Sequence, residues 1–260
     1  MKALWLVLTL LGGMLAWADE VELIGSDTVA SLIEPYQAGF TESTGHRLKL
    51  RVTGSLPALV RTQQWPGGIM LSEPFPAHPV PYLSRIGSDA VVFLVNRRNP
   101  LRALTLKELE ALLQPGARWP DGRPVVLYSL GVNHATMHYV RQFFGATGSP
   151  QTLHTQRTPE LVIANVADDA QGLGWLSLGR LQREALSGVG MLTLEGESPL
   201  QPDRRLNPAY PLHRHLYIGF SRTPNGAEQA LLDYLKAQIN HGTERPASQN
   251  HAGAGKTTRH

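Results

Sequence analysis

Apolar and polar positions along the chain follow two alternating rhythms. Short β-rich runs cover residues 21–24 (VELI), 47–52 (RLKLRV), 89–96 (DAVVFLVN), 125–128 (VVLY), 172–178 (GLGWLSL) and 214–220 (RHLYIGF). Between them, apolar residues recur at three- and four-residue spacing and predict helices over 28–43, 56–64, 105–113, 134–145, 159–168 and 225–239. Start signals support several of these: Ser26-Asp27-Thr28 before the first, Thr105 followed by Glu108 as a capping box, and Thr158-Pro159-Glu160. Strand and helix alternating in this way predict an α/β fold rather than a sandwich or a bundle. No repeat of solenoid period is visible. The Pro-rich segment 74–81 (PFPAHPVP) reads as a surface connection or a crossover between two lobes.

Both ends fall outside this rhythm. Lys2, the apolar run from Leu4 to Leu11 and Ala16-Trp17-Ala18 make residues 1–18 a secretory signal with an A-x-A cleavage site. That apolar run is shorter than the roughly 20 residues of a membrane span, so no membrane insertion is expected. Residues 242–260 (GTERPASQNHAGAGKTTRH) hold no large apolar side chain whose burial would offset the entropy of ordering them, and read as a disordered tail. The 223 positions from 19 to 241 suit one large domain or two small lobes, able to bury roughly 70% of the unfolded surface.

Composition changes the picture in two respects. The formal charge of +3 suggests a polyanion binder until its location is counted. Setting aside Lys2, Arg245, Lys256 and Arg259 leaves 20 of the 24 basic residues, and setting aside Glu244 leaves 20 of the 21 acidic ones. A neutral body with a slightly basic tail does not predict a nucleic-acid partner. The chain has no Cys, which excludes disulfides, a thiolate metal site and the acylated Cys of a lipoprotein. An exported product free in the periplasm is the expectation.

Three places set a strand end against a polar turn that opens a helix: Ile24-Gly25-Ser26-Asp27-Thr28, Val52-Thr53-Gly54-Ser55, and Tyr128 through Asn133-His134-Ala135-Thr136. Free N–H groups and the positive dipole end of a helix, beside small hydroxyls, make an uncharged anion cradle. Singly, such turns are ordinary helix caps. Convergence of all three would bind a small oxyanion. Other chemistry is thin. His134 and His138 stand four apart on a predicted helix, and His213 and His215 share a strand face, which permits a four-His metal site on paper, although capping or solvated histidine is the commoner role. There is no G-x-S-x-G elbow and no G-x-x-x-x-G-K-[ST] loop, and the adjacent Asp168-Asp169 read as solvated, so neither an enzyme nor a cofactor is expected. Trp65, Trp119 and Trp175 are candidates for a cleft or the core, and Arg97-Arg98 and Arg204-Arg205 for loop charges.

Order and wording of the segments carry a resemblance through most of 21–238. The opening GSDTV with its long helix, the TGS turn, Ile69-Met70-Leu71-Ser72-Glu73, IGSDAVVFLVN, the NP-LRALTLKEL segment followed by Trp119, GLGWLSL, and YPLHRHLYIGF together resemble the phosphate-binding proteins of ABC-type importers. The resemblance implies a two-lobed α/β periplasmic substrate-binding-protein-like fold with a cleft between the lobes. It implies phosphate or a related small oxyanion as ligand, and an ABC permease or a sensor protein as partner. It puts Ser26, Asp27 and Thr28 on the first ligand loop, Ser55 on the second, and Ser72-Glu73 on a Ser-Asp pair whose carboxylate accepts the proton of the bound phosphate. Asp27 and Glu73 both remain candidates for that acceptor. On the third loop only Thr136 matches, and the expected arginine falls on Leu130, so Asn133 or His134 would have to supply the polar contact. Loss of a bidentate arginine costs on the order of 2–5 kcal/mol. A protein that keeps the fold but contacts another protein instead is therefore the second expectation.

Overall fold

Parallel strands need a crossover, and the first two βα units supply it with helices that start on capping turns. β1 (Glu20–Gly25) runs into α1 (Asp27–Ile33), where the Ser26 side chain accepts from the Val29 N–H. The single helix expected over 28–43 is interrupted. Pro35 has no N–H to continue the ladder, so a 3₁₀ turn (Glu34–Tyr36) separates α1 from α2 (Gln37–Thr44), which ends on Gly45 in the left-handed region. β2 (Arg47–Val52), α3 (Ser55–Arg61), β3 (Gly68–Ser72) and β4 (Tyr82–Asn96) follow. Next come β5 (Ala103–Leu104), α4 (Leu106–Leu113), β6 (Val126–Leu130), α5 (Ala135–Phe144), β7 (Leu153–Gln156) and α6 (Pro159–Asp168). The chain closes with β8 (Gly172–Ser177), α7 (Leu178–Leu181), β9 (Val189–Met191), β10 (Thr193–Leu194), β11 (His213–Phe220) and α8 (Gly226–Glu244). The computed structural model describes residues 19–73, 75, 80–132, 134–145, 153–182 and 184–244. The expected signal over 1–18, tail residues 245–260, and Pro74 and 76–79 of the Pro-rich segment lie outside these.

Strand order is β2-β1-β3-β11-β4-β8-β6-β7, with β9 also on β4. β1 is parallel to β2 and β3, and β6 to β7 and β8, while β11 is antiparallel to both β3 and β4. The 15-residue β4 belongs to both halves. Its first part, to Ala90, pairs with β11, and from Val91 it pairs with β8 and β9. Two cores correspond to these halves. One packs Val29, Ile33, Phe40, Met70 and Ile218 beneath α8 residues Leu231 and Leu235, with a small cluster of Ile24, Ala58, Leu59 and Leu71 on the opposite sheet face under α3. The other gathers Val91, Phe93, Val95, Leu109, Val140, Val162 and Trp175.

The capping box of α4 forms in full: the Glu108 N–H donates to Thr105 Oγ1 at 3.2 Å and the Thr105 N–H to Glu108 Oε2 at 2.7 Å. β3, β7 and the first half of β4 are strands that periodicity did not single out. β3 (GIMLS) is buried throughout because both its faces are covered, Met70 beneath α8 and Ile69 and Leu71 under α3, so it shows no alternation. α8 runs to Glu244, past the tail boundary at 242 that composition suggested.

Candidate functional site

The three polar turns meet. Thr53 and Gly54 donate their N–H groups to Gly25 O at 3.0 and 2.9 Å, which stitches the second turn onto the first. This close approach depends on Gly25, whose φ is +139° and whose Cβ, if it had one, would stand 2.2 Å from Met70 O. Ser26 N donates to Met70 O at 2.9 Å, and Ser72 N at the end of β3 donates to Ser55 Oγ at 3.2 Å. The third turn comes from the other half of the molecule: His134 Nδ1 lies 3.2 Å from Asp27 Oδ2. The starts of α1 and α5 thus face each other across the cleft. Between the start of α3, the end of β3 and the start of α5 lies a cavity of about 40 Å³ whose lining includes Ser55, Leu56, Ser72, Val132, Ala135 and His138. One water needs roughly 10–15 Å³ by the same measure, so the space fits a group of a few heavy atoms.

Of the expected ligand residues, Ser55 and Ser72 line this cavity. Ser26 is buried and caps α1. Thr28 Oγ1 accepts from Arg214 Nη2 at 3.0 Å. Thr136 is 1% exposed and its Oγ1 has no partner among the described residues, and the same holds for His138 Nε2 and Asp27 Oδ1. Glu73 turns elsewhere: Oε2 accepts from the His215 N–H and Oε1 from the Tyr217 hydroxyl, both at 2.9 Å. Asn133 lies outside the described residues.

The charges are arranged in neutral pairs. Burial pushes the Asp27 carboxyl up, but the His134 hydrogen bond and charge, with the Arg214 charge, outweigh it and hold Asp27 below its ordinary value of 3.8. The same hydrogen bond lifts His134 above 6.5, against its burial and the charge of Arg180. Burial alone lowers His138. Leu130, where the resemblance implies arginine, is 2% exposed and sits in the apolar core of the second half. Arg97, Arg98, Arg204 and Arg205 are exposed, while Trp119 and Trp175 are core residues. The cation that does reach the cleft is Arg214 on β11, which the sequence reading passed over. It is 1% exposed and holds Asp89 through Nε at 3.0 Å and Nη2 at 2.7 Å. A signal existed: Arg214 is in phase with Leu216, Ile218 and Phe220, the buried face of the strand. Among the described residues no group of three or more His, Asp or Glu gathers to hold a metal, so His134, His138, His213 and His215 do not assemble a site.

No family model matches the chain. Phosphate-binding protein PstS of Pseudomonas aeruginosa is 24% identical over 174 residues, 59% of this chain and 52% of that protein. The match therefore spans about half the length of the curated relative. The crystal structure of an ABC-type phosphate transport receptor from Vibrio cholerae superposes with a TM-score of 0.73 at 16% identity, covering 86% of this chain and 96% of that one. A putative phosphate ABC transporter substrate-binding protein from Clostridium perfringens, with bound phosphate, gives 0.68 at 15% identity over 86% and 98% of the two chains. The fold is that of a two-lobed periplasmic substrate-binding protein. The regulatory domain of CcmR from Synechocystis, in complex with 2-PG, shares that fold with a TM-score of 0.61 at 17% identity, over 85% and 97% of the chains. In this binding-protein fold β4 is the strand common to both lobes, pairing with β11 in one and with β8 and β9 in the other, and the polar turns lie at the cleft between the lobes. No helix among the described residues is long and apolar enough to cross a membrane.

Proposed function

We propose that the chain is an exported periplasmic binding protein for phosphate or a related small oxyanion, held in the interlobe cleft and delivered to an importer or a sensor. The observation that carries this reading is the joining of the three polar turns by short hydrogen bonds, beside a small cavity whose wall includes Ser55 and Ser72. Ser26, Thr28, Ser55, Ser72 and Thr136 would serve as hydroxyl or backbone donors. His134 supplies the charge that Leu130 lacks, with Asn133 beside it. Asp27, with Oδ1 unpaired, is better placed than Glu73 to accept a ligand proton, since Glu73 is turned onto β11 and lines a different cavity.

Calorimetric titration of the anion-free protein with phosphate, sulfate and a phosphonate tests it. Micromolar binding of phosphate in preference to sulfate is expected, with His134→Ala weakening it; no heat with any anion would end the oxyanion reading. One observation favours a second reading, a binding-protein fold turned to protein contact. Two cations at the cleft are already met by carboxylates, His134 by Asp27 and Arg214 by Asp89. Near the small cavity Leu56, Val60 and Val132 are exposed apolar side chains. A stable partner retained by a protein silent toward anions would establish that alternative.

A further inference from the structure

A second, larger cavity of about 450 Å³ opens where α5 faces the end of β3 and the start of β11. Its size falls in the range of small-molecule pockets, roughly 300–1,000 Å³, and exceeds what a tetrahedral oxyanion needs. Two opposite charges line it. Arg214 reaches it nine-tenths buried and more, at 1% exposure, and its Nη1 has no hydrogen-bond partner among the described residues. Glu73 is the other, anchored on the N–H of His215, the residue after Arg214. Each Glu73 oxygen accepts one hydrogen bond and has capacity for another. Aromatic rings complete the wall: Phe75, edge-on to Tyr217, and Phe143, stacked on Tyr139.

The balance of charge decides what fits. Asp89 already neutralises Arg214, so Glu73 leaves the cavity with a net negative wall that opposes a bare anion. His213 does not favour a reversal, because burial, with His215 and Arg85 nearby, lowers its pKa against the pull of Asp89 and Glu73. Tyr139 stays a phenol, its pKa pushed up to about 12 by burial, and donates to His213 O. An orphaned guanidinium N–H needs an acceptor, and the carboxylate wall needs a cation. We propose that this cavity binds an amino-acid-like zwitterion with an apolar side chain, its carboxylate on Arg214 Nη1, its ammonium on Glu73 and its body against Phe75 and Phe143. The lining of this cavity shares no residue with the small cavity, and Arg214 touches the first turn through Thr28.

Calorimetric titration of the full chain with L-phenylalanine tests the inference, with phenylacetate, phenethylamine and inorganic phosphate as separate arms. L-phenylalanine should bind saturably, and each analogue lacking one pole about tenfold or more weaker. Phe143→Ala, at an exposed helical position, should weaken L-phenylalanine about tenfold and leave phosphate binding unchanged. Glu73→Gln should weaken L-phenylalanine and phenethylamine without weakening phenylacetate. No saturable L-phenylalanine binding, or equal affinity for phenylacetate, overturns the inference. Phosphate binding without L-phenylalanine binding removes this site alone, and the converse removes only the oxyanion reading.

Discussion

Arg214 shows how one buried charge ties ligand chemistry to stability. Its partner Asp89 also accepts from Ser177 Oγ at 3.0 Å and from Gly179 N at 3.1 Å, so a single carboxylate orders the guanidinium and the start of α7 together. Both side chains of the pair are almost wholly buried, at 0% and 3% exposure. Removing one partner leaves an uncompensated charge in a medium of low polarity. Asp89→Ala is therefore expected to destabilise the protein by about 3–5 kcal/mol, read from urea unfolding. Arg214→Met combined with Asp89→Ala should cost less than the sum of the two single changes, because the double variant leaves neither charge of the pair stranded. Strict additivity would mean that the pair is not coupled.

At the scale of elements, the turns are where sequence chemistry and backbone geometry meet, and they are the places to test it. Gly25→Ala puts a methyl group 2.2 Å from Met70 O at a φ of +139°, against Met70 backbone with no flexible side chain to yield. A loss of roughly 3 kcal/mol or more is expected. Gly45→Ala is the control. Its φ of +75° is also left-handed but nothing lies within 4 Å, so only the backbone cost of about 1–2 kcal/mol remains. Equal thermal shifts for the two would refute the close-approach argument. Thr105→Ala should cost about 1 kcal/mol by removing the α4 capping box. That cap was legible from Thr105 and Glu108 alone, as were α6 from Thr158-Pro159 and the alternating face of β11 from Leu216, Ile218 and Phe220. Pro35 was equally visible, but the apolar spacing on either side of it concealed the break. β3 was not legible because cover on both faces removes alternation, and β7 because a short polar edge strand has little apolar pattern to show. The turns at Gly25, Gly54 and His134 were readable singly as caps, and their meeting was not, since it depends on pairing between strands far apart in the chain. Arg214 fell between these cases: its phase marks it as buried, but the partner that makes burial tolerable lies 125 residues away.

For the molecule as a whole, the question is what holds the cleft shut. α1 is tied to the other lobe and to β11 by Asp27 with His134 at 3.2 Å, Ser31 Oγ with Arg180 Nη1 at 3.0 Å, and Thr28 Oγ1 with Arg214 Nη2 at 3.0 Å. Two of these involve arginines that stay charged over the working range, and the third titrates. His134 is raised above its ordinary 6.5, so its contribution is fully present below that value and is lost as pH rises through the higher folded-state pKa. Asp27 is depressed below 3.8, so its contribution is present above that value and is lost as pH falls through the lower folded-state pKa. The bridge is complete between those limits, and alkaline titration removes it first at physiological conditions. Small-angle scattering from pH 5 to pH 9 should accordingly show the radius of gyration increasing above pH 6.5, as the lobes separate about β4, the strand they share. Asp27→Asn keeps the size of the side chain but not its charge, and should abolish the pH-dependent step. If a bound oxyanion occupies the cleft, it adds its own negative charge beside His134 and should carry the step to still higher pH. A scattering profile that does not change with pH, or an Asp27→Asn variant that keeps the step, would show that the arginine contacts alone hold the cleft closed.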